Sequence, residues 1–61
     1  MGKQMSSYRA VELAEGFGEP AESEEEVIEA WQYLHTSGLA YKLQGFFGRT
    51  AQSLLEQGVI S

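Results

Sequence analysis

A single imidazole, His35, stands beside two hydroxyls, Thr36 and Ser37, and this is the nearest the chain comes to a base with a nucleophile. A hydrolytic triad also needs a third group to orient the imidazole, and none is evident. Read structurally, His35 closes the last turn of a helix, where the dipole favours a cation. Glu24, Glu25 and Glu26 offer clustered carboxylates, but a calcium loop needs spaced oxygens around a Gly turn, and the chain has no Asp. With no Cys there is neither a thiolate metal site nor a disulfide framework. Gly45-x-x-Gly48-Arg49-Thr50 has the outline of a phosphate-binding turn. A P-loop requires G-x-x-x-x-G-K-[ST] after a strand, and no strand is expected here. Small residues that permit close helix approach explain the two glycines better. On the helical wheel they sit away from the apolar stripe, which leaves them available to a partner surface. The expectation is therefore a protein without enzymatic activity, with no catalytic, cofactor-binding or metal-binding residues.

The elements that would position any surface chemistry are helical. Ser23 followed by Glu26 fits a capping box, in which Ser23 accepts from the Glu26 amide and Glu26 reaches back to the Ser23 amide. At about 100° per residue, Val27, Ala30, Trp31 and Leu34 form one stripe with Ile28 on its flank. Glu25, Glu29 and Gln32 lie opposite. This predicts a helix over about 24–36, ended by Gly38. Ala40, Leu43, Phe47, Ala51 and Leu54 continue in helical phase, with Leu55 widening the stripe and Gly58 as a stop. One helix over about 39–57 fits this series as well as two shorter ones broken near Gly45–Gly48. Two interior glycines cost roughly 1 kcal/mol each. A weaker helix over about 7–15, capped by Ser6 or Ser7 and ended by Gly16, would turn Ala10, Leu13, Ala14 and Phe17 inward. A loop follows through Gly18 and Pro20. The fold class is all-α: an antiparallel helical hairpin with a short N-terminal helix. Residues 1–61 form one small domain, and the order of the acidic segment 1–22 on its own is left open.

Charge is segregated along the chain. Residues 10–29 carry eight Glu and no base, while residues 30–61 carry Lys42 and Arg49 against Glu56 alone. A net charge of −5 argues against binding phosphates over the whole surface. The acidic run reads as a solubilising segment rather than a nucleic-acid mimic. A helix-turn-helix squeezed into residues 39–57, with Arg49-Thr50-Ala51-Gln52-Ser53 opening a recognition helix, is the alternative reading. Two basic residues are few for phosphate contacts. The apolar runs are far too short to span a membrane, and no secretory leader is expected. Met1-Gly2-Lys3-Gln4-Met5-Ser6 matches a myristoylation pattern that is too short and degenerate to carry weight.

Ala30-Trp31-Gln32-Tyr33-Leu34, followed by Leu43-Gln44-Gly45-Phe46-Phe47-Gly48-Arg49-Thr50-Ala51, resembles a group of small tailed-bacteriophage proteins of unassigned function. The resemblance spans about residues 27–60. It implies a viral origin and a location in the host bacterial cytoplasm. It brings no activity and no catalytic residue.

The remaining signal is aromatic. A single core in so short a chain rarely supplies more than about 3–5 kcal/mol, so self-association or a bound protein is expected to add stability. Tyr33, Tyr41 and Phe46 fall off the predicted core stripe, and Arg49 shares a side with Phe46. This composition matches interface hot spots. Tyr33, Tyr41, Phe46 and Arg49 are the expected protein-interaction residues of a homo-oligomeric binding module, whose partner is a host or phage protein.

Overall fold

Side-chain and glycine caps set the helix ends. The structure, a computed structural model, describes residues 5–16, 20–43 and 45–61. The expected inner position of Phe17, the loop through Gly18 and the Met1–Gln4 part of the lipidation pattern lie outside them. The Ser6 hydroxyl accepts from the Arg9 amide at 3.2 Å and starts helix α1, Ser7–Glu15. The Ser23 hydroxyl accepts from the Glu26 amide at 3.3 Å and starts α2, Glu24–Ser37, whose first turn holds three glutamates. Only half of the predicted capping box forms this way. The Glu26 carboxylate accepts from the Glu22 amide at 2.7 Å, one residue beyond Ser23, and from that position it also faces Arg9 Nη2 at 3.4 Å. Gly38 ends α2 at φ 84°, a left-handed conformation that L side chains adopt only with strain.

The predicted long helix over 39–57 is divided. A single 3₁₀ turn, Leu39–Tyr41, follows Gly38, and α3 spans Gly45–Gln57. The break thus falls just before Gly45, not between the two glycines. Gly45 opens α3, and Gly48 packs against the 3₁₀ turn instead of remaining free for a partner. A Cβ placed on Gly48 would stand 3.6 Å from the Ala40 carbonyl oxygen and from the Tyr41 ring.

The interior is narrow. Ala10 and Leu13 of α1, Ala30, Trp31 and Leu34 of α2, Ala40 of the 3₁₀ turn, Phe47 and Ala51 of α3, and Ile60 are buried, and Leu34 and Phe47 are the largest side chains fully enclosed. Trp31 and Phe47 meet with ring centroids 5.9 Å apart, which closes α3 onto α2. Val27, Leu54 and Leu55 border this core rather than filling it. Helix α1 lies along α2 and supplies the third wall. Arg9 ties it there, donating to Glu12 Oε1 at 2.7 Å and reaching Glu26 across the helix pair. The Glu12 hydrogen bond holds the Arg9 guanidinium above its ordinary pKa against partial desolvation, aided by the Glu26 charge.

After α3 the chain turns back. Gly58 donates to the Leu55 carbonyl and Val59 to the Leu54 carbonyl, the paired bonds of a Schellman motif. The turn delivers Ile60 to the core and Ser61 to α2. There Gln32 Oε1 accepts from the Ser61 amide at 2.9 Å, and Gln32 Nε2 donates to the Ser61 carbonyl at 2.7 Å. Gln32, assigned to the solvent side from periodicity, is thus a long-range clasp.

Two outcomes follow for stability. Leu34→Ala should cost about 2–5 kcal/mol, comparable with the whole margin of so small a core, and leave the chain largely unfolded by far-UV circular dichroism at 25 °C. Gly48→Ala meets only ordinary van der Waals contact and should gain about 0.5–1 kcal/mol from helix propensity, read as a higher melting temperature.

Candidate functional site

Among the described residues, the stretch from the 3₁₀ turn into the start of α3 carries exposed aromatic, aliphatic and basic side chains. The 3₁₀ turn presents Tyr41, the segment after it Lys42 and Leu43, and the first turns of α3 Phe46 and Arg49. Tyr41 is 45 % exposed, Phe46 38 % and Leu43 37 %, and Lys42 and Arg49 are exposed.

Tyr41 is exposed yet held in place. Its hydroxyl lies 2.6 Å from His35 Nδ1 and accepts from Gln52 Nε2 at 3.2 Å. In the tautomer that carries its proton on Nε2, His35 accepts the phenol O–H at Nδ1 while the same oxygen accepts from Gln52. The two rings stand edge to face, 5.8 Å apart at 80°. His35 is therefore occupied by Tyr41. Thr36, its neighbour in sequence, accepts from Gln32, and Ser37 accepts from the Leu39 amide and donates to the Leu34 carbonyl.

Phe46 is anchored from beneath. Its ring lies 4.2 Å from that of Phe47, which in turn packs on Trp31. An aromatic row thus runs from the core to the surface. Arg49, one turn after Phe46, folds back along α3 so that its Nη1 would stand 3.2 Å from a Cβ on Gly45. Neither Lys42 nor Arg49 forms an ion pair with any described residue.

The expected interaction residues separate accordingly. Tyr41, Phe46 and Arg49 are all exposed, on the 3₁₀ turn and the first turns of α3. Tyr33 does not join them: it is half-buried, packed against the core, and its hydroxyl lies 3.4 Å from Ser7 Oγ on α1. It lines a different feature, a shallow depression with Met5, Glu29, Gln32 and Thr36. Leu43 is the member that periodicity missed. Its phase places it on the inner stripe, but the break interrupts the helix before that phase can act. The same break alters the helix-turn-helix outline. Residues 39–41 form one 3₁₀ turn, and α3 begins at Gly45 with Arg49 already one turn inside it.

Among the described residues no group of three His, Asp or Glu side chains is placed to hold a metal ion, and no helix is long and apolar enough to cross a membrane. A family model described as a domain of unknown function, DUF7417, matches residues 4–61, and the chain belongs to that family. No curated protein and no solved structure matches it.

The posture of Tyr41 can be checked directly. Tyr41→Phe keeps the ring and removes both hydroxyl bonds. It should lower stability by about 1 kcal/mol in chemical denaturation, leave the helical spectrum unchanged and shift the His35 ring resonances in an NMR spectrum.

Proposed function

Starting from membership of a family without an assigned activity, we propose that this chain is a non-enzymatic protein-interaction module that binds through Tyr41, Leu43, Phe46 and Arg49. The observation that carries this reading is the exposure of three apolar side chains beside two cations that have no acidic partner within the described molecule. Aromatic groups with an adjacent Arg are the residues that dominate binding energy in protein contacts. Two of these side chains are also held by their neighbours, Tyr41 by hydrogen bonds and Phe46 by the row behind it. A contact that is already ordered forfeits less side-chain entropy on binding. Tyr33 leaves the proposed contact because it serves the α1–α2 junction.

The resemblance to tailed-phage proteins supports a setting in the cytoplasm of an infected bacterium, with a host or viral protein as the partner. The test is affinity capture from host and infected cells with the full chain, identification by mass spectrometry and titration of the purified partner. Phe46→Ser with Arg49→Glu, in a variant that keeps its helical spectrum, should weaken that binding at least about tenfold, since either residue alone is of hot-spot type. Equal binding by the variant, or no saturable partner at all, refutes the reading.

A further inference from the structure

We infer that the surface around Phe46 is covered by the outward acidic face of α2 from a second copy of this chain. The inference rests on the reading of that surface as a protein contact and specifies its occupant.

Charge selects the occupant. Between Ala30 and Leu55 the chain has no acid, while Lys42 and Arg49 stand exposed beside Tyr41, Leu43 and Phe46. The complement of such a surface is an acidic helix with an apolar side chain at its margin. This molecule carries one. Glu25 and Glu29, one turn apart on α2, are both exposed and oppose the buried Ala30, Trp31 and Leu34. Ile28, 38 % exposed, borders them. Side chains four residues apart on a helix stand on one face with Cβ atoms about 5–6 Å apart, so Glu25 and Glu29 form one acidic patch that attracts cations. Within one copy the two surfaces do not meet: the described ion pairs of α2 run from Glu26 to Arg9, and none reaches Lys42 or Arg49. The complementarity is thus satisfied between molecules. Each copy offers both faces, so the contact closes as a pair about a two-fold axis or extends as a chain. Both forms use the same charge pairing. The apolar patch comprises three half-exposed side chains, well short of the roughly 800 Å² per partner in a standard stable contact. The association is therefore weak and sensitive to screening.

The test is sedimentation equilibrium of the full chain at about 50 mM and about 500 mM salt, concentrations that bracket the screening of exposed charges. The expected result is reversible association at low salt, weakened at least tenfold at high salt. Arg49→Glu alone and Glu29→Lys alone should each weaken it at least tenfold, with helical spectra unchanged. Mixed in equal amounts the two variants should associate again, because the reversed charges pair. Should Arg49→Glu fail to fold, Lys42→Glu takes its place against Glu29→Lys. A chain that stays monomeric at low salt and millimolar concentration overturns the inference, as does a mixture no better than either variant alone. Saturable binding of a single-stranded oligonucleotide in place of self-association also overturns it. Loss of self-association together with retained, Phe46-dependent binding of a captured protein removes the second copy as occupant and leaves the proposed contact surface standing.

Discussion

The packing of Phe47 on Trp31 is the contact on which the molecule depends. It joins α3 to α2, and Phe47 is, with Leu34, the largest side chain enclosed completely among the described residues. Around it the interior is built from small parts. Ala10, Ala30, Ala40 and Ala51 have no exposed surface at all. Each contributes little transfer free energy by itself, since burial scales with apolar area. Their value is closeness: a methyl group at each site lets α1, α2, the 3₁₀ turn and α3 approach until the few large side chains are surrounded.

That arrangement links the core to the surface. The ring of Phe46 rests on Phe47, so the exposed end of the aromatic row inherits its position from the buried end. Tyr41 is fixed from the opposite side by His35 at the end of α2 and Gln52 in the middle of α3. Leu43, between the 3₁₀ turn and α3, is 37 % exposed. Buried and hydrogen-bonded neighbours thus position both exposed rings.

How much of this was legible in the sequence depended on the range of the interaction. The caps at Ser23, Gly16 and Gly38 are written within four residues of the helix ends they serve, and each is found where the sequence places it, while Ser6 is the one of two candidate serines that caps α1. The stripe of Ala30, Trp31 and Leu34 is periodic and equally plain. The break before Gly45 was hidden because the apolar phase survives it: Ala40, Phe47 and Ala51 remain buried whether or not the helix is continuous. Leu43 was misplaced for the same reason. Gln32, Tyr33 and Arg9 are bound to residues far along the chain, and no local pattern encodes a partner some 17 to 29 positions away. Of the candidate site, the aromatic and basic composition was readable. The division between Tyr33 and the other three was not, because it depends on where α1 docks.

The clasp between Gln32 and Ser61 has a consequence for how the molecule opens. Helix α2 is touched by α1, by the 3₁₀ turn, by α3 and by the returning tail. Each described element thus rests on the same central helix. Partial opening of one module while the rest stays folded is therefore disfavoured. The backbone amides of α2 and α3 would then trade hydrogen for deuterium together, as one cooperative unit whose protection equals that of the entire chain.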